Sequence, residues 1–280
     1  MASRTSSRTS IPQRPIPPFM MMLRSRIRQP QFYWFLGHLL TVYHFIRFHL
    51  SLFSISSQKY HYKMILANIS ITYAIVLYQF YKSGQLKLNS WENFRKNLKT
   101  LDNLQYFSML TILLLCSLFN DSVIINGSTY SVVIFSLFHC LNYFKENLLP
   151  FLPIQVLLKN VINERINNFI IHYNEQFLTI AQLFEIICCL RTGLINLPIN
   201  LIKLVITRNF QISIAKIIAN LSYIWFFKLR FIQNKQIPVI LNGVVSRIDG
   251  YLDNVLNENM KLKWNNYKVA VKSLFWKFPV

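Results

Sequence analysis

The chain has 280 residues, of which 53% are hydrophobic, 15% aromatic and only 14% charged, against roughly a quarter charged in an ordinary soluble domain. That composition excludes a soluble enzyme's surface. The 30 Lys+Arg against 10 Asp+Glu give a net charge of +20, which calls for a polyanionic partner, and an anionic membrane leaflet fits better than nucleic acid. No zinc-finger spacing, RNP-like strand or basic zipper occurs, and the apolar runs are longer than a DNA-binding domain needs.

The first thirty residues are rich in Ser, Thr, Arg and Pro, carry six arginines and contain no acid. Such a segment cannot bury enough apolar surface to offset its ordering entropy, so residues 1–30 are expected to form a disordered basic cytosolic arm. Its apolar piece, 19–23, is too short for the core of a signal peptide.

Four apolar runs follow. QFYWFLGHLLTVYHFIRFHLSLF yields a span over about 32–53, MILANISITYAIVLYQFY one over 64–81, LQYFSMLTILLLCSLF one over 104–119 and YSVVIFSLFHCLNYF one over 130–144. A hydrocarbon core of about 30 Å takes roughly 20 helical residues, so the third and fourth are short, as for a thin bilayer or helices that only partly cross. Residues 31–145 are thus expected to form a four-helix transmembrane region.

The first run is notable for His38, His44, His49 and Arg47. On one helix His38 and His49 share a face but stand about 16 Å apart, and His44 points elsewhere, so no metal or haem iron is shared among them. A polar edge facing the bundle is expected, with His38 and His49 reaching toward the two interfaces. The cysteines, Cys116, Cys140, Cys188 and Cys189, form no C-x-x-C pair and indicate neither zinc nor a disulfide framework.

Loop charge sets orientation. The loop at 82–99 carries Lys82, Lys87, Arg95, Lys96 and Lys99, whereas 120–129 carries Asp121 and no basic residue. The amino terminus, the 82–99 loop and the carboxyl-terminal half are therefore expected in the cytosol. The 54–63 loop, with Lys59 and Lys63, fits less well. Asn126-Gly127-Ser128 is a glycosylation sequon in the expected lumenal loop, too close to the bilayer for use.

Beyond 145 the pattern changes. Pro150 and Pro153 break an apolar stretch, a polar helix candidate follows, and two long apolar stretches are interrupted by Pro198, Lys203 and Lys216. Residues 146–235 are expected to be membrane-embedded or interfacial helices, with a further hairpin through the membrane, and hence six crossings, left open.

The last segment, 236–280, has the clearest periodicity. Met260, Trp264, Tyr267, Val271, Leu274 and Phe278 step by four and three, so at about 100° per residue they share a face, joined by Phe275. Lys261, Lys268 and Lys272 border one side, Lys263 and Lys277 the other, and Asn265, Asn266 and Ser273 lie opposite. An apolar aromatic stripe edged by lysines describes an in-plane helix that sinks into an anionic leaflet; packing on a protein core is the alternative. Leu241, Val245, Ile248, Leu252 and Val255 repeat the spacing upstream, where Gly243 and Gly250 make tertiary support necessary. The fold class is therefore an all-α polytopic membrane bundle with carboxyl-terminal amphipathic interfacial helices.

TVYHF at 41–45, MILANIS at 64–70, VVIFSLFHCLNYFK at 132–145, Asn174-Glu175 before an apolar helix and YIWFFKLRF at 223–231 together resemble the fungal pore-membrane nucleoporins and the animal transmembrane protein thirty-three, small polytopic proteins of the endoplasmic reticulum and nuclear envelope. The chain departs from the family at Phe231 and IQNKQ, where members place Tyr and a Ser-Arg-rich turn. The resemblance implies a non-enzymatic role in organising nuclear pores and shaping curved endoplasmic reticulum, with nucleoporins or membrane-shaping proteins as partners.

The competing class is an intramembrane transporter or lipid-modifying enzyme. None of the ten acids lies in the middle of the first four runs, and Glu175 and Glu185 stand about 15 Å apart along a helix, too far to share a proton or metal. No catalytic residue, cofactor or metal is assigned.

Overall fold

The structure, a computed structural model, describes residues 19–207 and 210–279. Among them every regular element is helical: α1 (Phe19–Ile27), α2 (Pro30–Leu50), α3 (Ile55–Lys82), α4 (Trp91–Thr100), α5 (Asp102–Phe119), α6 (Tyr130–Tyr143), α7 (Val156–Arg191), α8 (Leu197–Thr207), α9 (Phe210–Gln233), α10 (Gln236–Val255) and α11 (Glu258–Lys277). The arm expected over 1–30 lies outside the described residues up to 18; from Phe19 it is helical instead, because the apolar FMMML run gives α1 a side to bury, and Met22 is enclosed.

Helix α2 opens on Pro30, whose fixed φ and missing N–H suit a first helical position. It packs antiparallel to α3, and the crossing is set by Gly37. A Cβ there would stand 2.1 Å from Thr72 Oγ1 and 3.4 Å from the Asn68 carbonyl oxygen, so the two backbones approach where no side chain intervenes. Thr72 donates to that same carbonyl at 2.8 Å, which holds its hydroxyl in place.

Helix α3 begins at Ile55, with Ser54 accepting from the Ser57 amide as its cap. The stretch expected to be a 54–63 loop is thus largely its first turns. Likewise the 82–99 loop contains α4, capped by Ser90 and anchored by Leu98 in a small core with Leu77, Leu86, Leu104 and Leu229. Its basic residues Arg95, Lys96 and Lys99 ride on this short amphipathic helix rather than on a free connection.

The main core is built on α3, α5, α7 and α9, from Leu66, Ile69, Met109, Leu110, Leu113, Ile186, Ala219 and Phe226 among others. The 120–129 loop folds into it. Val123 and Ile125 are buried, Tyr62 and Ser128 hydroxyls lie 3.1 Å apart, and the Ile125 amide donates to Tyr62. Gly127 takes φ +99° with its Cα face against Cys188, a conformation and a space that both favour glycine. The sequon hydroxyl of Ser128 is therefore part of the core.

Three helical runs among the described residues are long and apolar enough to cross a membrane: Ile55–Lys82, Asp102–Phe119 and Val156–Thr207. The first two contain the expected second and third spans. The other two expected spans fall short, α2 because its histidines, arginine and glycine dilute an apolar run of 21 residues, and α6 because it has only 14. A π-helical turn, Phe144–Leu148, and a 3-10 turn, Leu149–Phe151, extend α6 to the Pro150 and Pro153 break. The third run joins segments that the sequence separates: α7, a π-helical turn at Thr192–Asn196, and α8 are continuous. Pro198 lacks the N–H that an unbroken α-helix would use there, and the widened turn just before it accommodates the loss.

Candidate membrane-binding site

Helix α10 starts at the end of α9, where the Gln236 amide donates to Asn234 Oδ1 at 2.8 Å. Ile237 is fully buried, and Leu241, Val245 and Leu252 are half-buried on the same side. After the extended Leu256, Asn257 accepts from the Met260 amide at 3.0 Å and caps α11, with Glu258 in the first turn where the helix dipole favours a carboxylate. The two helices are clipped by Asp249, which accepts from Trp264 Nε1 at 2.7 Å and from Lys268 Nζ at 2.7 and 2.8 Å. The Lys268 ammonium also lies 5.6 Å from the Trp264 ring centre.

At its far end α11 leans on α9. The Phe275 ring is 6.1 Å from Phe227 and 5.4 Å from Phe231. Lys228, itself buried, donates to the Trp276 carbonyl at 3.0 Å and to the Phe278 carbonyl. These are the acceptors that a helix end leaves without intrahelical partners, so Lys228 both caps α11 and ties it to the bundle.

The seven apolar residues read as one stripe are thus divided. Trp264, Val271, Phe275 and Phe278 are half-buried toward the protein, whereas Met260, Tyr267 and Leu274 are exposed, Leu274 to 70%. Of the lysines, Lys261 pairs with Glu258 and Lys268 with Asp249, while Lys263, Lys272 and Lys277 are exposed. A second exposed apolar row, Leu262, Val269 and Trp276, runs on the side read from the sequence as polar. Its seven-residue spacing is legible in the sequence. The clips through Asp249 and Lys228 are not, because both are tertiary.

Bonding to Lys268 and then to Trp264 holds the Asp249 carboxyl below its ordinary value of 3.8. A depressed carboxyl stabilises the docked state fully above that ordinary value, and the contribution is lost as pH falls below it through the folded value. Acidification below 3.8 is therefore expected to loosen α11 from α10. The Trp264 indole N–H resonance in micelles should shift toward its solvent-exposed position in that range, and Asp249→Asn should abolish the transition. A transition of equal size in Asp249→Asn would contradict the assignment.

Within the bundle a second polar group joins four helices. Tyr106 on α5 donates to Glu185 Oε1 on α7, and Arg230 on α9 stands with Nε 3.6 Å from Glu185 Oε2 and Nη1 2.9 Å from Asp102 Oδ2. Both are ion-pair separations. The guanidinium lies over the Tyr106 ring at 5.2 Å, and Tyr73 on α3 stacks on that same ring at 5.6 Å. Glu185 is 1% and Arg230 3% exposed. A charge so enclosed requires its partner, so the group works as a brace among α3, α5, α7 and α9.

The histidines of α2 face the bundle. His38 Nδ1 is 2.9 Å from Ser136 Oγ on α6, with Trp34 and His139 against its ring, and His44 Nδ1 is 2.9 Å from His61 Nδ1 on α3. His38 is buried, so it does not reach an interface as its position near the helix end suggested. Among the described residues no three His, Cys, Asp or Glu side chains come together as a metal site.

Long apolar helices, a polar brace inside them and a cationic hairpin outside define a helical, polytopic membrane protein. The chain belongs to the family described as Transmembrane protein 33/Nucleoporin POM33, which matches residues 19–257. That match covers α1 to α10 and ends just before α11. The chain is 52% identical over 271 residues to the Saccharomyces cerevisiae protein named Pore and endoplasmic reticulum protein of 33 kDa, covering 95% of this chain and 98% of the relative. It is 26% identical over 274 residues to Tetra-spanning protein 1 of Schizosaccharomyces pombe, covering 96% and 92%. No solved structure matches the chain.

Proposed function

We propose that this chain is a non-enzymatic membrane organiser of the endoplasmic reticulum and nuclear pore, and that the α10–α11 hairpin binds the anionic cytosolic leaflet and favours curved membrane. The observation that carries the reading is the exposed set Met260, Tyr267 and Leu274 on α11, beside the exposed Lys263 and Lys277. Apolar side chains so displayed stabilise an in-plane helix by burial among acyl chains, and the lysines meet lipid phosphates. Occupying one leaflet only, such a helix binds best where curvature opens packing defects.

The names of the relatives support the location: one is a pore and endoplasmic reticulum protein and the other is tetra-spanning. With the carboxyl-terminal hairpin cytosolic, an even number of crossings puts the amino terminus there too, in agreement with the loop charges. Nucleoporins or proteins that shape the endoplasmic reticulum are the partners this placement makes available.

The test is reconstitution of the full chain into anionic vesicles and measurement of their diameters by cryo-electron microscopy. The wild-type protein is expected to yield narrow vesicles or tubules, and Tyr267→Asp with Leu274→Asp to yield vesicles as wide as protein-free controls. Equal narrowing by the double variant would rule out the hairpin as the curvature element.

A further inference from the structure

At the end of the bundle that holds the 120–129 loop, a cleft of about 320 Å³ opens between α2, α3, α6 and α7. Its lining includes Phe48 and His49 from α2, Gln58 from α3, Asn126 from the loop, Tyr130 from α6 and Arg191, the last residue of α7. We propose that this cleft binds a phosphate group, and that the phosphate is the headgroup of an anionic phospholipid.

Arg191 is exposed on an apolar helix, and the residues sharing its face one turn away, Ile187, Leu194 and Ile195, are exposed as well. An arginine on a lipid-facing stripe is costly unless its charge is met by a headgroup or a carboxylate. Among the described residues no carboxylate pairs with it; Asp121, the acid of the nearby loop, is paired with Lys63 at 2.9 Å. The guanidinium fork fits a phosphate through two parallel N–H bonds.

One further feature points the same way: His49 contributes its imidazole to the cleft wall, and a ring N–H is a donor from which a phosphate can accept. The exposed Leu194 and Ile195 would then lie along the acyl chains, which favours a lipid over a free anion.

The experiment uses the purified full chain in detergent and follows binding by native mass spectrometry and by thermal shift. The probes are dioleoyl phosphatidic acid, dioleoylglycerol with the same chains and no phosphate, and inorganic phosphate. Phosphatidic acid is expected to bind and to raise the melting temperature, dioleoylglycerol to do neither, and Arg191→Gln to weaken phosphatidic acid by about tenfold, as loss of a charge-assisted contact implies. Inorganic phosphate binding as tightly as phosphatidic acid, with the same loss in Arg191→Gln, would keep the phosphate chemistry and overturn the lipid source. Unchanged phosphatidic acid binding in Arg191→Gln would overturn the site. Should that variant fail to fold, Arg191→Lys and His49→Leu carry the test: each is expected to weaken binding several-fold, and wild-type affinity in both would overturn it.

Discussion

Arg230→Met is expected to destabilise the folded chain by about 3–5 kcal/mol, the usual consequence of removing one member of a buried ion pair. The magnitude follows from what remains. Glu185, 1% exposed, keeps the Tyr106 hydroxyl but loses the cation beside Oε2, and Asp102 loses a guanidinium at 2.9 Å. An enclosed carboxylate without a counter-charge must either stay ionised at a large cost or take up a proton. Glu185→Gln with Arg230→Met removes both charges and leaves a side chain of similar size, so the double variant is expected to be more stable than Arg230→Met alone. The midpoint of thermal unfolding in detergent is measured for the wild type, Arg230→Met, Glu185→Gln and the double variant. A double variant whose loss equals the sum of the single losses would show that the two residues do not act on each other.

Gly37→Ala is expected to cost about 1–3 kcal/mol, although alanine is the better helix former, because the added methyl overpacks the α2–α3 crossing. The new Cβ would meet Thr72 Oγ1 at 2.1 Å, and that hydroxyl is held by its bond to the Asn68 carbonyl. Removing the obstruction tests the cause. Thr72→Ala leaves a Cβ at 3.4 Å, an ordinary if tight contact, so Gly37→Ala with Thr72→Ala should recover most of the loss. Thermal midpoints and the yield of monodisperse protein report the effect; a double variant as unstable as Gly37→Ala alone would place the strain elsewhere.

What could be read from the sequence depended on whether the signal was local. Helices α3 and α5 are apolar runs bounded by polar residues, and the bilayer-length rule finds them. Helix α4 escaped because ten residues with a strong basic content resemble a loop, and only the burial of Leu98 against Leu77 and Leu229 shows what holds it. The continuity of α7 and α8 was hidden by the polar first half of α7 and by Pro198, whose effect is absorbed by the preceding π turn. Glu185 and Arg230 are 45 positions apart on different helices, and no periodicity joins them.

The α11 stripe shows both the reach and the limit of pattern reading. A 3.6-residue period marks which side chains share a face, but it does not say whether that face meets protein or lipid. Here it meets both: Phe275 packs on Phe227 and Phe231, inside the YIWFFKLRF string that carried the family resemblance, while Leu274 next to it is left exposed. The candidate membrane-binding set is thereby narrower on one edge, at Met260, Tyr267 and Leu274, and Trp264 becomes a docking residue through Asp249.

The most direct test of the proposed membrane contact is a depth measurement on the full chain in anionic vesicles. Nitroxide labels would be placed singly at Leu274 and at the exposed Asn265, nine residues and hence about 180° away around α11, in a background with Cys116, Cys140, Cys188 and Cys189 replaced by alanine. Collision with molecular oxygen should dominate at Leu274, as in acyl chains, and collision with a water-soluble nickel chelate should dominate at Asn265. Equal chelate accessibility at both positions would mean that α11 stands in water, and would contradict the account.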